Sequence, residues 1–190
     1  MVGGSTVVGI FVAVLIWNGL GPGPVDVLVV GVSARTGLSL TLTVWSIFGA
    51  MNLIAWIMGR RPGFGTVAAP MIAGFVIGVA VSGLDNVERP DTLIVRLVVQ
   101  LIGIGAIGTG AASIMKSGLG AGPSELLTTA FAEPNGWSEP RVRTAIELSC
   151  LVVGATLGGP MGVGTGMLAL IIGSSVGLGV RVVDRLIAPR

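Results

Sequence analysis

Two stretches, "GLGPGPVD" at residues 19–26 and "GLGAGPSE" at residues 118–125, each set a carboxylate just after a glycine-rich helix breaker. Pro24 and Pro123 suit the first turn of a following helix, where a missing N–H costs nothing. Asp26 and Glu125 then fall inside that first turn, where the positive end of the helix dipole favours an acid. One reading is a helix-start signature and nothing more. The other is chemical. Two such starts related by pseudo-symmetry would turn both carboxylates, and the open backbone at Gly21, Gly23, Gly120 and Gly122, toward a shared centre. That arrangement suits a cation or a proton coupled to a small substrate. A second recurring motif ends at Thr66 ("GFGT") and at Thr165 ("GVGT"). Its first reading is a tight turn with close helix packing, and its second is a pair of hydroxyls offered to a ligand.

The residue inventory closes off other chemistry. The chain has no histidine and no tyrosine, and its one cysteine, Cys150, lies in an apolar stretch. An intrachain disulfide and a thiol metal cluster are therefore excluded, and histidine-dependent catalysis with them. No enzyme activity, cofactor or metal site is expected. The 11 basic side chains barely outnumber the 9 acidic ones, and no basic run interleaves with aromatics. Nucleic-acid binding has no support.

The elements that hold these motifs must sit in lipid. Of the 190 residues, 52% are hydrophobic and 11% charged, and the mean hydropathy is +0.94. A soluble domain carries roughly 25% charged residues because water must wet its surface. A hydrocarbon core of about 30 Å takes roughly 20 helical residues, which gives spans at 2–20, 38–58, 64–84, 94–115, 142–157 and 164–180. The start lacks a basic region and a cleavage site, so it reads as a first span rather than a removed signal. Residues 82–92 form the one clearly solvated loop in the middle of the chain, and a short basic tail follows residue 180. Residues 24–34 and 123–132 are too short to cross and too apolar for water, as re-entrant or interfacial helices are.

Sliding the chain by 99 residues pairs 19–78 with 118–177 without a gap, with 16 identities in those 60 pairs. The identities cluster at the breaks and at the GxGT turns, so a tandem duplication within one membrane domain is expected. Repeat one covers about residues 5–84 and repeat two about 94–182 of the single domain 1–190. The fold expectation is an all-α polytopic bundle of six spans, as two three-span repeats, each with a short broken or re-entrant helix. An odd number of crossings inverts the second repeat. If the short segments cross as well, the total is eight and the repeats are parallel.

Basic residues fix orientation but not span number. With three crossings per repeat, Arg60, Arg61, Lys116, Arg141, Arg143, Arg181, Arg185 and Arg190 share the side of the termini, and Arg35, Arg89 and Arg96 lie opposite. With four, Arg60, Arg61 and Lys116 change places with Arg35, Arg89 and Arg96. Both arrangements put the termini in the cytoplasm. Length favours six, as does the cost of carrying Glu125, Glu133 and Glu139 across.

Several polar residues have plainer roles. Arg143 and Glu147 are spaced to pair at i, i+4. Asn52 and Gln100 read as interhelical glue, and "GIGAIGTG" at 103–110 as a packing seam. Arg96 sits where it can reach the interface.

The combination of "GLGAGPSE", "GWS" at 136–138 and "GGPMGVGT" at 158–165 resembles the YczE/YyaS/YitT-type family of small bacterial integral membrane proteins. The resemblance covers nearly the whole chain and is strongest over residues 118–177. It implies a bacterial plasma-membrane protein of five or six spans, and assigns no residue a catalytic role. The functional expectation is a small-solute or ion permease with its binding region at the GLGxGP breaks. The alternative is a non-transporting membrane scaffold or regulatory subunit. The expected partners are the bilayer, a small solute or ion, and further copies of the chain.

Overall fold

The computed structural model describes residues 1–187, and among them every regular element is an α-helix. Arg190, counted above with the basic tail, lies outside the described residues. The helices are α1 (Val2–Asn18), α2 (Pro24–Thr36), α3 (Leu40–Ile57), α4 (Phe64–Leu84), α5 (Leu93–Lys116), α6 (Pro123–Asn135), α7 (Glu139–Thr156) and α8 (Val163–Ile187). Subtracting 99 from the bounds of α6 gives those of α2, and the same step takes α7 to α3.

Helices α3, α4, α5 and α8 are long and apolar enough to cross a membrane. Helix α1 is equally apolar but has 17 residues. Helix α7 carries Glu139, Arg141, Arg143 and Glu147 in its N-terminal half, and is the most polar of the longer helices. Helices α2 and α6 have 13 residues each, roughly 20 Å at 1.5 Å per residue. That falls short of a hydrocarbon core of about 30 Å.

Helix α1 packs between α4 and α5, and α5 continues onto α8. The second group is α2 on α3 and α7, with α6 also on α3 and α7. Contacts of α4 with α3 and α6 join the groups. Small residues set the closest approaches, since backbones in lipid meet only where side chains leave room. A Cβ on Gly4 would lie 2.6 Å from the Gly110 carbonyl oxygen, and one on Gly108 would lie 2.6 Å from Ser175. The 103–110 segment is thus a seam against α1 on one side and α8 on the other. Helices α2 and α7 touch backbone to backbone at Gly31 and Gly154. Their offset counterparts on α6 and α3, Ala130 and Ala55, are fully buried.

Pro70 lies inside α4. A proline there has no N–H for the carbonyl four residues earlier, which is that of Thr66. Asn52 on α3 donates to that Thr66 oxygen at 3.4 Å. The mid-span amide is therefore glue with a stated target.

Candidate functional site

Each glycine break is plugged by the GxGT turn from the other half of the chain. Gly164 N–H donates to the Leu20 carbonyl at 2.7 Å, and Gly65 N–H donates to the Leu119 carbonyl at 2.7 Å. A broken helix end leaves carbonyls without partners, and in lipid these must be met inside the protein. Here the first turn of α8 meets one carbonyl of the first break, and the first turn of α4 meets one of the second. Gly21 (φ +104°) and Gly120 (φ +134°) lie directly under Thr165 and Thr66, so a Cβ on either would strike the threonine hydroxyl. Those hydroxyls also accept from the N–H groups that open their own helices, Gly63 to Thr66 at 3.2 Å and Gly162 to Thr165 at 3.3 Å. Both threonines are buried. Gly21 and Thr165 therefore meet across the halves, as do Gly120 and Thr66, in contacts made of packing and capping.

The first break carries an additional polar network. Arg96 donates from Nε and a terminal guanidinium nitrogen to the Asn18 carbonyl, at 3.0 and 2.7 Å. A cation on the last carbonyl of α1 opposes the negative end of its dipole. The Asn18 amide donates to Gln100 at 3.1 Å, and Gln100 donates to the Gly21 carbonyl at 3.0 Å. Sequence reasoning placed Arg96 at an interface and did not anticipate that it closes a helix end.

The acids occupy different surroundings. Asp26 folds back over the Gly23 that caps its helix, where a Cβ would lie 2.9 Å from the carboxylate. Glu125 accepts from the Gly122 N–H at 3.2 Å, the reciprocal half of a capping arrangement. Glu125 also lies 3.9 Å from the Arg143 guanidinium, which bonds to Glu147 at 3.0 Å. The expected i, i+4 pair is present, and Arg143 ties it to the second break. This link is visible in the sequence only as an oddity: Arg143 stands 99 residues after Val44, an apolar residue.

Glu125 and Arg143 line a cavity of about 410 Å³ bounded by α5, α6, α7 and α8. A second cavity of about 740 Å³ lies among α2, α3, α6 and α7, lined largely by apolar side chains such as Leu28, Ile47, Met51, Leu127 and Phe131. Both fall in the size range of small-molecule sites. Only the first joins a glycine break to charged side chains. Gly122 and Glu125 of the sequence-derived candidates line it; Gly21, Gly120, Thr66 and Thr165 sit in the packed contacts described above, and Gly23 and Asp26 at the start of α2. Among the described residues no cluster of three or more potential metal ligands occurs.

Known proteins of similar sequence carry the resemblance further. An uncharacterized protein of Haemophilus influenzae is 30% identical over 181 residues, 95% of this chain and 82% of that one. The uncharacterized membrane protein YczE of Bacillus subtilis is 32% identical over 139 residues, 70% of this chain and 62% of its own length. The uncharacterized protein YyaS of the same organism is 25% identical over 169 residues, 85% and 81% of the two chains. The resemblance to the YczE and YyaS group is thereby borne out. No solved structure matches the chain. With a relative described as a membrane protein and four helices long and apolar enough to cross, this is a multi-pass integral membrane protein. The family model described as "Family of unknown function (DUF6198)" matches residues 1–181, and the chain belongs to that family.

Proposed function

We propose that this protein is a small-solute or ion permease of the bacterial plasma membrane, with both termini in the cytoplasm. In this reading α1, α3, α4, α5, α7 and α8 are the six spans, arranged as two inverted repeats, and α2 and α6 are the short re-entrant elements. The observation that carries it is the cavity beside the second break, lined by Glu125 and by an Arg143 that Glu147 holds from behind. Charged side chains within a membrane protein are costly unless paired or facing a wet cavity, and such groups mark solute and ion paths. One guanidinium between two carboxylates leaves a net negative site, suited to a proton or a small solute with a cationic group.

The scaffold reading has its own support, in the reciprocal plugging of the breaks, whose contacts are those of packing and capping. Proteoliposomes holding a pH-sensitive dye separate the two. An imposed proton gradient is expected to collapse faster with the parent protein than with Glu125→Gln or Asp26→Asn. Equal rates for all three, and for empty vesicles, would favour the scaffold. A topology reporter inserted after Arg35 is expected to read extracytoplasmic. A cytoplasmic signal there would refute six crossings.

A further inference from the structure

The cavity at Glu125 has a filled counterpart. Subtracting 99 from its lining residues turns Ile107, Ile114, Arg143 and Val176 into Val8, Leu15, Val44 and Ile77. Those four pack together in the main apolar core of the protein. The difference between the halves lies in one helix pair. Helix α3 packs on α4, and the corresponding α7 is not packed closely on α8.

Glycines record the difference. On α4, a Cβ at Gly74 would lie 2.8 Å from Val44 and 3.0 Å from Trp45, and one at Gly78 would lie 3.4 Å from the Thr41 Cβ. The offset positions on α8, Gly173 and Gly177, have nothing within 4 Å of such a Cβ. Helix α8 thus carries the same glycine-lined face that receives α3 on α4, and among the described residues nothing packs on it at Gly173 and Gly177. The side chains that α7 would bring are Pro140, Arg143 and Glu147 in place of Thr41, Val44 and Phe48. Closing the gap would carry the Arg143 guanidinium toward Gly173 and shut the Glu125 cavity from that side.

We propose that the two halves exchange these arrangements: α7 closes on the Gly173 and Gly177 face of α8 while α3 parts from the Gly74 and Gly78 face of α4. The Glu125 cavity and a matching cavity at Asp26 are then open in turn, one per state. The exchange rests on the permease reading, and supplies its alternating access through two copies of one hinge. Interfaces with two discrete packings are what such transitions use. The plugged breaks do not need to separate, since α3 and α7 move while the GxGT turns stay on the breaks.

Disulfide trapping tests it in a Cys150→Ser background, in native membranes with an added oxidant. Thr41→Cys with Gly78→Cys reports the contact present in the structure, because bridged Cβ atoms lie about 3.5–4.5 Å apart. Pro140→Cys with Gly177→Cys reports the exchanged state. Pro140→Cys with Gly166→Cys is the control, displaced along α8 by 11 residues, or about 16 Å. The first pair is expected to link fast and the second slowly, accumulating well above the control as a minor state is drawn off. A variant with all four cysteines is expected to hold one bond or the other in any molecule. A second pair no better than the control, or both bonds in one molecule, overturns the exchange. Replacing Arg143 and Glu147 by the residues at the offset positions (Arg143→Val, Glu147→Phe) is expected to raise the yield of the second pair several-fold. An unchanged yield overturns it as well. None of these readouts needs a substrate, so loss of proton flux without loss of trapping would fault the permease reading instead.

Discussion

Replacing Gly21 by alanine is the sharpest test of the interlock between the halves. Two costs arise there. The backbone at φ +104° is one that L side chains rarely adopt, a strain of about 1–3 kcal/mol. The new Cβ also meets Thr165 and lies 2.7 Å from the Gly162 nitrogen, in a contact whose crowding adds about 1–3 kcal/mol. Gly59→Ala comes nearest to isolating the first cost, since Gly59 has φ +90° with nothing within 4 Å of a Cβ. The difference between the two variants is therefore the interlock term, about 2 kcal/mol, or about 4–8 °C in melting midpoint for a chain of this size. The protein supplies its own probe: Cys150 is the one cysteine and is buried. A thiol dye that fluoresces on reaction will report unfolding of purified protein as it is heated. Gly120→Ala, against Thr66, is expected to match Gly21→Ala. If Gly21→Ala melts with Gly59→Ala, the break does not bear on the opposite turn and the interlock is wrong.

Two further stability changes follow from the polar contacts. Arg96→Met removes the charged donors on the Asn18 carbonyl and should cost about 1.5–3 kcal/mol, read by the same thermal assay, whereas a guanidinium merely reaching for the interface would leave the midpoint unmoved. Asn52→Leu leaves the Thr66 carbonyl without its donor, at about 1–3 kcal/mol. Adding Pro70→Ala restores an N–H to that carbonyl, so the double variant should recover most of the loss, and additive losses would refute the link between Pro70 and Asn52.

The medium, the helical class and the places where helices break were legible from the chain alone. Apolar runs, glycine and proline act locally, and local chemistry reads along a sequence. The short segment starting at Pro123 reads from the sequence as a helix of its own, and α6 is one, 13 residues long. The offset of 99 residues was equally visible, with Asp26 and Glu125 at equivalent positions.

Their surroundings were not. Whether an acid at a helix start faces a cavity or a filled core depends on how two distant helices meet, and spacing along one helix does not encode that. Val44 completes the core beside the first break, and Arg143, its counterpart, pairs with Glu125 at the edge of an open cavity. Likewise Thr66 and Thr165 read either as tight-turn residues or as hydroxyls for a ligand, and the fold buries each against the break of the opposite half. The sequence by itself settled the helical class, the places where helices break and the lipid solvent they require. Tertiary packing decided which segment covers which, because a carbonyl left open by one half can be met only by an N–H that the other half brings to it.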